Sequence, residues 1–321
     1  MKATVINNFI TFAFDDIIKF EQMKMIIPSY LKKGDQITII APSGKVNPEY
    51  VLHAKSVLES WGFCVESGEH VFTEYGRFAG TADERLSDLQ RALDNPENKA
   101  IFCARGGYGV VHLLENLSLK LLKKNPKWLI GYSDITALHA KINNEGICSI
   151  HALMSSHLAK EDGQDEASLC LKDLLFGKSI CYETKIHALN RTGKAKGVLR
   201  GGNLSVLYGL RGTPYDFSPE NTILFIEDVG EKPYHIERMM YNLKLGGILQ
   251  NISGLVVGQF SNCEEDKSMQ KTIYESISDL ISGYNFPVCF NFPAGHIKEN
   301  FPLICGKVIN LLVTEEIVTI T

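Results

Sequence analysis

Apolar and polar positions along the chain fall into two alternating patterns. Short unbroken apolar runs are followed by stretches whose apolar residues recur at helical spacing. Residues 36–41 (QITIIA) read as a buried strand, closed by the turn chemistry of Pro42-Ser43-Gly44. Over 48–61, Val51, Ala54, Val57, Leu58 and Trp61 share one helical face, and Gly62 stops that helix. A short strand, FCVESG, comes next. Residues 81–94 predict an amphipathic helix: Thr81 is an N-cap, Glu84 follows three residues later, and Leu86, Leu89 and Leu93 form the apolar face. The run 100–104 (AIFCA) predicts a strand leading into Arg105-Gly106-Gly107-Tyr108-Gly109. A helix is expected over 110–122, a strand over 128–133 and another helix over 134–143. Repeated strand–helix order predicts a parallel sheet with helices on its faces.

Residues 160–195 change character. A charged stretch (KEDGQDEAS) gives way to LCLKDLLFG and then to polar, strand-like residues through His187 and Lys194. This reads as a crossing between domains. Beyond it the pattern predicts a strand over 222–230, a helix over 233–245, a strand over 253–260, a helix over 266–281 and a short strand, PVCFNF. The alternating C-terminus (GKVINLLVTEEIVTIT) predicts an antiparallel hairpin. The expected domains are 26–165 and 196–321, joined by 166–195. Residues 1–25 are an extension or a mis-assigned start.

Composition narrows the class. The chain has 321 residues, 45% hydrophobic and 22% charged, which suits a globular protein of about two domains. Its net charge of −4 offers no basic excess for a nucleic-acid partner. No apolar run reaches the ~18 residues of a membrane span, and Asp15 and Asp16 interrupt the apolar stretch at the N-terminus. The eight cysteines form no C-x-x-C pair and no zinc spacing, so buried free thiols in a reducing compartment are expected, with no metal site and no cofactor.

Active sites of parallel α/β sheets lie beyond the carboxyl ends of the strands. Two such ends carry unusual residues. Ser133, in Gly131-Tyr132-Ser133-Asp134, sits at a strand-to-helix junction, where a sharp turn would expose its hydroxyl as in a nucleophile elbow. The following N–H, at a helix start, suits an oxyanion. Ser-Asp is also a common helix N-cap, and G-x-S-x-G is absent because position 135 is Ile. The loop Gly106-Gly107-Tyr108-Gly109 could cradle a phosphate, complete an oxyanion hole or be a plain tight turn. It matches no nucleotide motif. Arg105 could hold a substrate carboxylate or an internal acid. Of nine histidines, His53, His112 and His139 fall within expected helices, whereas His296 lies in a glycine-bearing loop, Pro293-Ala294-Gly295-His296. Glu227 ends the apolar strand TILFI, where a carboxylate needs a partner, either a histidine or a cation such as Arg238.

Together these segments resemble one family. They are IAPSG (40–44), RFAGTADERLSDLQRAL (77–93), FCARGGYG (102–109), IGYSDITALH (130–139), GVLRGGNLSVL (197–207), FIEDVGEKPYHIERMM (225–240), GLVVGQF (254–260) and FPAGH (292–296). The chain resembles the LD-carboxypeptidases of murein recycling, serine peptidase family S66, which the microcin C immunity proteins share. The resemblance spans roughly residues 26–310. It implies a flavodoxin-like N-terminal α/β domain, a parallel sheet with helices on both faces, plus a β-rich C-terminal domain with flanking helices. It implies a Ser133–His296–Glu227 triad and oxyanion donors at Gly106 and Asp134. A murein peptide substrate, a cytoplasmic setting and a homodimer come with it. Arg105, Gly107, Tyr108, Arg200 and Asn203 are the expected substrate contacts, with Arg105 or Arg200 receiving a carboxylate and Asn203 a backbone amide. The immunity branch would cleave an aminoacyl-nucleotide mimic and use an aromatic platform, Tyr108 or Trp128. A non-catalytic binding protein of the same fold is a further alternative.

Overall fold

The structure, a computed structural model, describes residues 25–264 and 266–321. The extension or mis-assigned start expected over 1–25 lies, but for Met25, outside the described residues. Thirteen strands are described: β1 (Gln36–Ile40), β2 (Cys64–Ser67), β3 (Asn98–Cys103), β4 (Trp128–Gly131), β5 (Ser149–His151), β6 (Tyr182–Lys185), β7 (Gly193–Asn203), β8 (Thr222–Val229), β9 (Gly254–Ser261), β10 (Val288–Cys289), β11 (Leu303–Cys305), β12 (Val308–Val313) and β13 (Ile317–Ile320). They form two sheets, ordered β11-β5-β4-β3-β1-β2 and β10-β9-β8-β7-β12-β13-β6.

In the first sheet β2-β1-β3-β4-β5 are parallel. This is the flavodoxin-like order, and its direction of winding reverses between β1 and β3. A crevice therefore opens beyond the carboxyl ends of those strands. Apolar runs can form these strands because helices cover both faces. Successive residues of β3 feed opposite cores: Ala100 and Phe102 pack with Ile37, Ile39 and Trp61, while Ile101 and Cys103 pack with Leu89, Leu129 and Leu138. The helix Ala82–Asp94 begins with the expected capping box, Thr81 with Glu84.

The second sheet has a parallel half, β7-β8-β9-β10, and an antiparallel half, β7-β12-β13-β6, with the expected C-terminal hairpin as β12–β13. Along β8, Leu224 and Ile226 face the helix Pro233–Leu245, and Ile223 and Phe225 face the opposite core.

Three expectations change. The stretch 110–122 is not one helix: it holds a single tight turn, Val110–His112, and a short helix, Lys120–Lys124. Leu113, Leu114, Leu117, Leu119 and Leu122 all reach the core, and the Ser118 N–H donates to Gln90 Oε1, which holds the chain irregular. The helix Glu166–Leu175, within the expected crossing, buries Ala167, Leu171, Leu174 and Leu175 in the first core. From the far end of the sequence, β11 pairs antiparallel with β5, so residues 303–305 complete the first sheet.

Candidate active site

Tyr132 and Ser133 follow β4 and lead through a tight turn, Ser133–Ile135, into the helix Thr136–Asn144. Ser133 has φ 65, a left-handed conformation that few non-glycine residues adopt. Such strain persists where surrounding structure imposes it, and it turns the hydroxyl out of the strand direction as a nucleophile elbow does. The glycine loop after β3 lies directly against this turn. A Cβ on Gly106 would stand 2.8 Å from Ser133 Cβ and 3.0 Å from its Oγ, so a residue with a side chain cannot occupy position 106 without displacing the serine. Asp134 is the second residue of this turn, where the first N–H groups lack intrahelical acceptors.

Two buried charges hold these loops together. Asp134 Oδ2 accepts from Ser43 Oγ (2.5 Å) and from the Val110 N–H (2.9 Å), so one carboxylate joins the loop after β1, the glycine loop and the serine turn. Arg85, 2% exposed, donates Nη1 to the carbonyls of Pro42 (2.8 Å) and Gly109 (2.9 Å). Burial lowers its pKa, and the Asp134 charge opposes that shift. Behind the serine, His139 lies between the Gly131 carbonyl (2.8 Å) and Ser149 Oγ (2.8 Å). Its Nε2 must donate to the carbonyl, so Nδ1 accepts from the hydroxyl. Burial depresses its pKa to about 4 and keeps it neutral.

Glu227 lies on β8, fully buried, and its Oε2 accepts from His296 Nδ1 at 2.7 Å. A carboxylate inside a parallel strand must find such a partner. The bond fixes the ring so that Nε2 carries the free lone pair. Gly295 lets the loop pass: its φ is 131, and a Cβ there would meet Glu227 Oε2 at 3.0 Å. The His296 ring, 17% exposed at its side chain, lies 4.7 Å from the Tyr132 ring by centroids, against the residue that precedes Ser133. Burial, with the Glu227 charge adding, pushes the Tyr132 phenol up to about 12. On its other side Tyr132 meets buried His151, with ring centroids 5.7 Å apart.

Gly106 and Asp134 thus adjoin Ser133, and Glu227 holds the His296 ring against Tyr132, the residue before Ser133. The pairing considered between Glu227 and Arg238 does not form, because the carboxylate faces His296 and the Arg238 guanidinium lies 5.4 Å over the Tyr234 ring. Around the site Arg105, Gly107 and Tyr108 are exposed on the glycine loop. Two expected contacts are not. Arg200 is 3% exposed and donates Nη1 to Asn144 Oδ1 (3.3 Å), so it has no surface to offer a charged substrate. Asn203 is 4% exposed and occupied structurally: Nδ2 donates to Asp228 Oδ1 (2.9 Å), Oδ1 caps the helix Leu204–Leu210 through the Val206 N–H, and its own N–H donates to Thr136 Oγ1 (3.0 Å). Trp128 is fully buried.

Sequence reasoning missed Arg85, Ser43 and the Asp134 side chain as organisers of the loops. Position gave a signal for Asp134 alone. Arg85 lies mid-helix and reads as a solvated residue. His139, expected within a helix, lies on one, is buried, and ties down the strand end behind Ser133.

An arrangement of this kind can pass a proton from a hydroxyl to an imidazole, with a carboxylate behind the ring and the glycine loop against the serine. Residues 37–152 match the LD-carboxypeptidase N-terminal domain and residues 196–311 the LD-carboxypeptidase C-terminal domain. The chain is 34% identical over 286 residues to the probable murein peptide carboxypeptidase of Bacillus subtilis (strain 168), covering 87% of this chain and 89% of that protein. It matches the crystal structure of muramoyltetrapeptide carboxypeptidase from Oxalobacter formigenes with a TM-score of 0.81 at 30% identity, covering 89% of this chain and 97% of that one. The microcin C7 self immunity protein MccF, in complex with aspartyl sulfamoyl adenosine, shares the fold with a TM-score of 0.82 at 22% identity, over 92% of this chain and 98% of that one. On both halves of its sequence, the chain belongs to the LD-carboxypeptidase family of serine peptidases, S66, and is a serine-type carboxypeptidase hydrolase.

Proposed function

We propose that the protein removes terminal D-Ala from murein tetrapeptide, L-Ala-γ-D-Glu-diaminopimelate-D-Ala, by cutting the L,D-peptide bond with a Ser133–His296–Glu227 triad. One observation carries this reading. A strained serine, Ser133 at φ 65, shares the site with a buried carboxylate–imidazole pair at 2.7 Å, whose ring rests on Tyr132.

In this scheme His296 Nε2 takes the Ser133 hydroxyl proton as Oγ attacks the scissile carbonyl. The N–H groups of Gly106 and Asp134 hold the resulting oxyanion. His296 then gives its proton to the leaving nitrogen, the C–N bond breaks and D-Ala departs, leaving the peptide esterified on Ser133. Water, deprotonated by His296, attacks the ester and restores the serine. Glu227 stabilises the imidazolium and keeps the ring oriented without taking its proton. No step draws on a metal or cofactor. The same proposal sets the enzyme in the cytoplasm, as a homodimer working in peptidoglycan recycling.

A second reading keeps the triad and changes the substrate to an aminoacyl-nucleotide mimic, as in microcin immunity. Tyr108 favours it: the ring is 47% exposed and braced edge-on by His112, centroids 5.3 Å apart. The test is D-Ala release from murein tetrapeptide by the protein and by Ser133→Ala. Release that the mutation abolishes supports the carboxypeptidase. No release by either protein favours the amidase or a binding protein, and release that survives the mutation removes Ser133 as nucleophile.

A further inference from the structure

A carboxypeptidase that removes a single residue must recognise the free carboxylate at the end of its substrate. In any peptide that carboxylate carbon lies three bonds from the scissile carbonyl carbon, about 3–3.7 Å away. A receptor for it must therefore adjoin the oxyanion donors. At Ala104 and Arg105, the two residues before Gly106, the structure has a cleft of about 310 Å³, at the lower end of the range for small-molecule sites. Its wall includes Asn47, Tyr50, Arg105, Met154, Ser156 and Lys160. The start of the helix Pro48–Ser60, the end of β3 and the helix Ser155–Glu161 frame it.

Charge is what distinguishes this cleft. Arg105 and Lys160 both line it, both are exposed, and neither has a carboxylate partner among the described residues. Neighbouring cations do: Lys45 pairs with Glu74, and Lys298 pairs with Glu161. The Arg105 guanidinium is oriented by one donor, Nη1 to the Lys45 carbonyl at 2.5 Å, and an arginine has four further N–H groups. Lys160 Nζ lies 5.8 Å from the centre of the Tyr50 ring. Two like charges facing one cleft repel until an anion enters between them. A carboxylate fits both, accepting in a fork from the arginine and as a point charge from the lysine.

We propose that Arg105 and Lys160 form the pocket for the substrate's terminal α-carboxylate, and that this pocket restricts the enzyme to removing one C-terminal residue. The proposal rests on the Ser133 reading above. The ligand class is a peptide ending in a free carboxylate.

The experiment compares murein tetrapeptide with the same peptide ending in a carboxamide. Wild type is expected to favour the acid by about 100-fold in kcat/KM. Lys160→Gln is expected to raise KM for the acid by about 10-fold or more, with kcat little changed, while kcat/KM for the amide moves by less than about twofold. Lys160→Arg should restore the preference and Arg105→Gln should erode it. Parallel losses on acid and amide, or an unaltered KM for the acid, would overturn the proposal. Calorimetric binding of both peptides to Ser133→Ala needs no turnover, and so separates the two readings. Binding of the acid over the amide that Lys160→Gln removes keeps the pocket even if the protein releases no D-Ala. Equal or absent binding of both peptides removes it.

Discussion

The two halves of the site are held in place by opposite means. On the serine side, three loops from different strand ends converge, and buried polar groups fix their positions. Arg85 ties Pro42 to Gly109, and Asp134 ties Ser43 to Val110. On the base side, one residue of a buried strand meets one residue of one loop, Glu227 Oε2 to His296 Nδ1. The serine side is a network in which each tie carries part of the geometry. On the base side one side-chain bond orients the ring, on a loop held by the Gln259 N–H to the Ala294 carbonyl and the Gly295 N–H to Asn300 Oδ1. Damage to the first should be graded, and damage to the second should be abrupt.

The largest test sets Ser133→Ala against Glu227→Gln. Loss of the serine should lower kcat for D-Ala release by about 10⁴- to 10⁶-fold. Glu227→Gln should cost about 10⁴-fold, because an amide at Oε2 can leave His296 in the wrong tautomer. Far-UV circular dichroism of both variants should match wild type. A Glu227→Gln enzyme within tenfold of wild type would mean that the dyad does not orient the base.

Next comes Gly106→Ala. The added methyl must displace Ser133 or the loop, and one displaced oxyanion donor costs about 10²- to 10³-fold in kcat. Steady-state kinetics with KM nearly unchanged would assign the loss to the transition state. An unimpaired G106A enzyme would show that the loop's approach to the serine has no catalytic use.

Asp134→Ala removes two hydrogen bonds to a buried carboxylate and should lower stability by about 2–4 kcal/mol in urea unfolding. Activity should fall with it but persist, as a network predicts. Complete loss of activity with full stability would place Asp134 in the chemistry rather than in the scaffold.

The smallest test uses pH, and the two sides respond with opposite signs. His139 is depressed to about 4 from 6.5, so the unfolded chain binds its proton first as pH falls. Its contribution is full above pH 6.5 and is lost between about 6.5 and 4, on the order of 3 kcal/mol. Asp228, on the base side, is raised to about 6 from 3.8, chiefly by burial. Its contribution is full below pH 3.8 and is lost as pH rises through about 6. Hydrogen exchange between pH 4 and 7 should loosen the β4–β5 region on acidification and not the β8 region. His139→Gln should flatten the first response; an unchanged profile would remove His139 as its source.

Much of this was legible in the sequence for identifiable reasons. Short apolar-rich runs at 36–41, 100–104 and 222–226 suit strands covered on both sides, and their order with the helices gave the parallel sheet. The Thr81–Glu84 box fixed a helix start by local chemistry. Ser133, Glu227 and His296 stood out because each places a reactive group where an apolar element ends, and the resemblance joined them. The segment 110–122 failed because five leucines satisfy a helical pattern and an irregular buried loop equally well. Arg200 and Asn203 failed because a polar residue beside Gly-Gly reads the same whether its side chain meets solvent or a buried partner.

The sequence by itself therefore determined most strands, most helices and the glycine loop, and it named the candidate groups, since periodicity, capping and residue chemistry are local properties. Tertiary structure decided which groups meet. The His296 ring meets Tyr132, the residue before Ser133, through long-range packing, and β11 returns from residue 303 to pair with β5. The burial that makes Glu227 seek His296, sets His139 near pH 4 and turns Arg200 and Asn203 inward is a property of the packed core. No local pattern encodes it, because desolvation depends on what the rest of the chain places around a group.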